Sequence, residues 1–255
     1  MDAVTTELST ARDWDLRVDL ALCYRVVAHY GLTDQIYTHI SARVPGVEDR
    51  FLLNRMGVGF DEMTASDLVE VAIDALPEAA PDETEAGGVN RAGHTIHSAI
   101  HMARPEVGCA IHLHSRAVMA VAALEGALMP LNQISMQFYD RLAYHDYEGI
   151  ALDLDERDRL IASLGGNHAM ILRNHGLLTV GRNAAEAFTR AYYLEKACQI
   201  QMDALAMGRP LRQPSPEVCE HAARQFDSFY EGGACDQAWA ANRRIIDRVN
   251  PGYEG

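Results

Sequence analysis

Residues 107–114 read V-G-C-A-I-H-L-H, and no other stretch restricts the fold as much. Val107, Cys109, Ile111 and Leu113 are apolar, while Gly108, Ala110, His112 and His114 are small or histidine. Side chains alternate across a strand, so the first set is expected to face a core and the second to form a bare floor ending in two imidazoles. At ~3.3 Å per residue those imidazoles stand about 7 Å apart along the strand, which lets their nitrogens converge on one ion. A third histidine, His175, lies in R-N-H-G at 173–176, between β-patterned runs at 168–173 and 177–181. Gly176 beside it is expected to leave room for a ligand. Three neutral imidazoles with open positions are the donor set of a catalytic metal, so His112, His114 and His175 are the candidate ligands of a divalent ion.

Helical and strand patterns surround this stretch. Residues 14–30 carry apolar residues at three- and four-residue steps and end at Gly31, a helix with its C-terminal glycine. Strands are predicted at 37–44, 50–53 and 69–73, with a tight turn at Gly57 and Gly59 and a one-turn cap at Thr64 and Asp67. Residues 74–88 are acidic and carry prolines and glycines, the composition of a surface loop. Residues 92–104 form a helix with His94, His97 and His101 on one face. His97 and His101 are expected to pack beneath the sheet. His94, in the first turn and nearer the loop, is a candidate for the site.

After the central strand, Ser115 is a candidate N-cap for a helix at 116–125, whose start would favour an anionic ligand. Residues 129–141 are less regular, 142–147 suit an edge strand, 155–164 a helix, and 183–207 a long helix capped by Asn183. A Pro- and Arg-containing linker at 209–216 leads to helices at 217–230 and 236–249. Strands separated by helices, with several hairpin-like connections, predict an α/β domain with a largely antiparallel sheet.

The balance of charges is −14 over 255 residues, and no basic face emerges, which argues against nucleic acid as a partner. No apolar run is long enough for a membrane span and no signal pattern opens the chain, so no membrane is implied and the cytoplasm is the expected location. The five cysteines are scattered without a C-x-x-C and read as buried thiols. There is no H-E-x-x-H, no P-loop, no dinucleotide fingerprint and no G-x-S-x-G.

From residue 14 to 207 the chain resembles the class II aldolase and adducin family. The carrying motifs are H-I-S-A-R (39–43), G-V-G-F-D-E-M-T (57–64), H-S-A-I-H-M-A-R-P (97–105), I-H-L-H (111–114), A-Y-H-D-Y-E-G (143–149) and R-N-H-G (173–176). The resemblance implies a three-layer α/β/α domain, often a cyclic homotetramer, with zinc or a similar ion held at His112, His114 and His175. Residues 1–208 would form that metal-binding domain. Residues 209–255 would be a helical extension packing on it or at an interface. In the sugar-phosphate aldolases of the family the metal holds an ene-diolate, and a glutamate beside it moves the proton. Here that glutamate position is Gly93, and two phosphate-holding serines fall on Arg91 and Ala92. The pocket asparagine appears as His39, while Gly57 is retained. The sequence is thus closer to the adducin-like bacterial branch.

The reading that follows is a divalent-metal-dependent lyase, an aldolase or decarboxylase acting on a small hydroxy- or keto-acid through a metal-bound enolate. His94, Tyr139, His39 or a metal-bound hydroxide would replace the glutamate, and His39, Gly57 and Arg91 would bind substrate. Zinc is the expected ion, with iron(II) or manganese as alternatives. Two other readings are a mononuclear iron(II) oxygenase that decarboxylates an aromatic hydroxy acid, and a non-catalytic, adducin-like interaction domain.

Overall fold

The computed structural model describes residues 3–74 and 88–255, with side chains from residue 13 onward. The acidic stretch read as a loop lies, from 75 to 87, outside the described residues. Among the described residues seven strands form one sheet: β1 (His39–Arg43), β2 (Arg50–Asn54), β3 (Leu68–Ala72), β4 (Cys109–Leu113), β5 (Leu142–His145), β6 (Ala169–Leu172) and β7 (Gly176–Gly181). Their order is β3-β2-β1-β4-β7-β6-β5, and β5 with β6 is the parallel pair in an otherwise antiparallel sheet. β5 lies at the edge, as its short polar–apolar pattern predicts.

Helices cover both faces. They are α1 (Ala3–His29), α2 (Arg91–Ala103), α3 (Arg116–Ala122), α4 (Gln133–Met136), α5 (Glu156–Leu164), α6 (Ala184–Ala206), α7 (Pro216–Glu231) and α8 (Ala234–Val249). On one face Cys109, Ile111 and Leu113 of β4 join Leu20, Val27, Leu194 and Cys198 from α1 and α6. On the other, Ala110 meets Ile96 and Ile100 of α2, Leu160 and Leu164 of α5, and Met170 and Leu178 of neighbouring strands. The fold is a three-layer α/β/α sandwich. The helix stripes predict it, since each apolar face must be buried against the sheet.

The expected bare floor of β4 is corrected here. All five strand residues are buried, and Ala110 is roofed by α2 and α5. Val107 lies before the strand and packs on the α2 side, not with Cys109. Small residues on that face let helices approach, and the imidazoles of His112 and His114 come only at the end of the strand. α1 extends further toward the N-terminus than residue 14, and α3 stops at Ala122, short of Glu125. Among the described residues no helix is long and apolar enough to cross a membrane.

The C-terminal segment is knitted into the main core. Trp239, Ile246 and Tyr253 belong to the same apolar cluster as α1 and α6. Trp239 Nε1 donates to Asp19 (2.8 Å), and Arg25 donates to the Asn250 side chain (2.8 Å) and to the Pro251 carbonyl (2.7 Å).

Candidate metal centre

The sheet brings three histidines to one point. His112 is the fourth residue of β4 and His114 follows its end, on the same face by strand alternation. His175 occupies the β6–β7 connection, where Asn174 takes a left-handed conformation (φ 55°), one that asparagine tolerates better than most side chains. A Cβ on Gly176 would collide with the Leu113 carbonyl and stand 3.2 Å from the His114 ring. The expected room for a ligand there is therefore corrected: the missing side chain lets β7 close onto β4, which carries His175 up to His114.

The Nε2 atoms of His112 and His114 are 3.0 Å apart, as are those of His114 and His175. The nitrogens lie within 4.8 Å of one another. A tetrahedral ion with bonds of 2.0–2.1 Å would set its nitrogens about 3.3 Å apart. The tautomers are fixed from behind. His112 Nδ1–H donates to the Leu177 carbonyl (2.9 Å) and His114 Nδ1–H to the Asp34 carboxylate (2.9 Å). Both Nε2 atoms then carry lone pairs, aimed at each other and at His175. Such an arrangement is repulsive without a cation, and the donor set fits a divalent metal. Burial, reinforced by the neighbouring histidines, holds His112 far below its ordinary pKa; burial with His114 and His145 brings His175 down to about 4. Neutral imidazoles are the ligand form.

His39 pairs directly with His112 across β1 and β4, and the two rings stack at 4.9 Å and 28°. Its Nδ1 bonds His97 Nε2 (2.8 Å). His97 Nδ1 bonds Ser41 Oγ (2.5 Å), which also bonds His101 Nε2 (2.8 Å). His97 and His101 thus pack beneath the sheet as expected, in a buried chain that ends on the ring beside the triad. Burial first, then the other histidines, pushes His39 well below its ordinary pKa.

The remaining candidates are spread out. Gly57 (φ 93°) sits in a loop brought beside the start of α2 by Met56 N donating to the Gly88 carbonyl (2.8 Å). Arg91 is the first residue of α2, two before Gly93. His94 points toward β3: its Nε2–H donates to the Ala72 carbonyl (2.8 Å) and its ring leans on Phe51. Tyr139 lies near Glu217, Cys219 and Glu220 of α7. Among the described residues no hydrogen bond or ring contact joins His94 or Tyr139 to the triad. His145, the last residue of the edge strand β5, lines with His175 a small cavity of about 10 Å³ that also includes Glu148 and Glu156.

The anion-favouring helix start after Ser115 is also corrected. The amides of Ala117 and Val118 donate to the Glu195 carboxylate (3.2 and 3.0 Å), and Ser115 makes no capping bond. The protein's own carboxylate fills that role. Sequence reasoning missed Asp34 and Glu195 because their partners are 77 to 80 residues away and no local pattern links them.

The model of the Class II Aldolase and Adducin N-terminal domain matches residues 18–202. A crystal structure of an aldolase II superfamily protein from Pseudomonas syringae is 45% identical, covering 95% of this chain and 96% of its own, with a TM-score of 0.87. L-fuculose 1-phosphate aldolase from Glaciozyma antarctica PI12 is 27% identical over 96% of this chain and 94% of its own, with a TM-score of 0.81. Alpha-adducin of Mus musculus is 39% identical over 196 residues, 75% of this chain and 26% of that protein. With the fold, the three-histidine point and these matches together, the chain belongs to the class II aldolase and adducin family.

Proposed function

We propose that the protein is a metal-dependent carbon–carbon lyase, of aldolase or decarboxylase type, for a small hydroxy- or keto-acid. The observation that carries this reading is the convergence of three Nε2 atoms, 3.0 Å apart from His112 to His114 and from His114 to His175, with the first two rings locked by acceptors behind them. His112, His114 and His175 would hold the ion, with zinc the first choice. A bound ion of this kind supplies Lewis-acid polarisation of a substrate oxygen. His39, stacked on His112, would bind substrate together with Gly57 and Arg91, with Arg91 offering a guanidinium to a carboxylate. Proton transfer falls to a group other than the carboxylate of the sugar-phosphate aldolases, because position 93 is glycine. His94 and Tyr139, the other candidates for it, are turned to other contacts within the single chain. Tyr139 would serve only across an interface of the cytoplasmic homotetramer that this reading brings with it.

The test is elemental analysis of protein purified without chelators or added metal, followed by a turnover screen over hydroxy- and keto-acids. One zinc per chain, lost in His112→Ala, together with cleavage or decarboxylation of a screened acid, is the expected result. Iron instead of zinc, with oxygen uptake, would replace the lyase by the oxygenase. A wild-type protein that binds no metal and turns over nothing would leave the interaction domain.

A further inference from the structure

The unusual residue pair beside the triad is His39 with Gly93. The His39 ring is sandwiched. His112 stacks on it at 28°, and the backbone of Gly93, in the first turn of α2, presses on it from the helix side. A Cβ built on Gly93 would stand 2.7 Å from Cδ2, 2.9 Å from Cγ and 3.0 Å from Nε2 of that ring. Real Cβ atoms do not approach so closely. The ring has no easy escape, since it is 2% exposed and its Nδ1 is tied to His97, itself tied to Ser41. Among the described residues no group partners His39 Nε2.

The charge at this place matters too. Three neutral imidazoles leave a divalent ion its full charge, so its open positions favour anionic oxygen ligands. A small acid that chelates through a carboxylate and an adjacent oxygen meets that demand. A neutral imidazole next to His112 adds a hydrogen-bonding nitrogen without the repulsion that a carboxylate side chain would bring.

We infer that His39 and Gly93 form one steric unit. Glycine at 93 is required by the imidazole at 39, and His39 presents Nε2 to a chelating 2-oxo- or 2-hydroxy-carboxylate held at the triad. The ligand half of this inference rests on the metal reading above; the steric half does not.

Two measurements test it. In metal-free protein, Gly93→Ala is followed by thermal unfolding with and without His39→Ala. Alanine normally stabilises a helix relative to glycine. Here Gly93→Ala lowers Tm by about 4 °C or more when His39 is present and raises it when His39 is alanine. If Gly93→Ala does not fold, recovery of folding in the double variant shows the same clash, and a double variant that also fails to fold overturns it. A Gly93→Ala protein as stable as wild type, or more so, overturns the steric unit as well.

In cobalt(II)-loaded protein, oxalate binding is read from the visible spectrum. His39→Gln, whose amide nitrogen reaches where Nε2 stands, keeps oxalate affinity within about threefold. His39→Asn, whose shorter amide mimics Nδ1, loses at least tenfold with cobalt retained. Equal affinities in wild type, Gln and Asn variants overturn the role of Nε2, as do equal losses in both. A wild-type protein that takes up no cobalt overturns the metal reading and the ligand half with it, while the Tm cycle still decides the steric half.

Discussion

Asp34 shows how a single residue would tune the proposed centre without itself being a ligand. Its carboxylate accepts from His114 Nδ1 at 2.9 Å, which fixes the tautomer and turns Nε2 toward its partners. Leu177 does the same for His112 through a backbone carbonyl that no side-chain substitution removes. Of the two supports, Asp34 is therefore the one open to test. Groups in this position commonly contribute 10- to 100-fold to metal affinity. Asp34→Asn and Asp34→Ala are expected to weaken zinc binding by about that range with little change in the unfolding temperature of metal-free protein, since the carboxylate is half-exposed. Competition with a chromophoric chelator measures it. Unchanged affinity in both variants would mean that the Asp34 contact plays no part in holding His114.

At the scale of elements, the strand alternation at 109–114, the apolar stripes of the helices and the punctuation by Gly31 and Asn183 were readable, while Val107, placed in the same alternation, packs on the opposite face. They are local rules, and at these two positions the fold obeys them: Gly31 takes a positive φ after its helix, and the Asn183 side chain accepts from Glu186 N. The three histidines of the candidate centre were readable as a group because two share one strand face and the third sits in a short β-connection. What was not readable is pairing across the chain. That His39 lies opposite His112 depends on β1–β4 register, and that Gly93 backs onto His39 depends on how α2 crosses the sheet. The start of α3 is the clearest case. Ser115 has every local mark of an N-cap, yet its hydroxyl is buried without a partner, and Glu195 from α6 takes the amides instead. Gln199 also donates to that carboxylate (3.0 Å). Glu195→Ala strands two buried amides, a loss of about 2–4 kcal/mol if each costs 1–3 kcal/mol and part is recovered by water. Chemical denaturation should read it. A loss below about 0.5 kcal/mol would return the capping role to Ser115.

For the whole molecule, the distribution of neutral histidines sets its response to acid. His97 and His101 are fully buried under β1, and burial is the main cause holding both below their ordinary pKa, His101 at about 3. In the unfolded chain each returns to about 6.5. A folded pKa below the unfolded one means that the unfolded state binds the extra proton. Stability is thus intact above about pH 6.5 and is lost as pH falls toward 3, at about 1.4 kcal/mol per pH unit for each such histidine. Because the C-terminal helices share the α1–α6 core, and His97 and His101 lie in the α2 layer against the same sheet, the loss should appear as one cooperative transition. Urea unfolding of metal-free protein between pH 7.5 and 4.5 measures the slope. His101→Asn is expected to be less stable than wild type at pH 7.5, where only its packing and its bond to Ser41 are lost, and to close that gap as the pH falls, since one fewer proton is taken up on unfolding. A gap that stays constant from pH 7.5 to 4.5 would show that His101 takes up its proton in the folded protein at the same pH as in the unfolded chain, against the burial that the sandwich imposes on it.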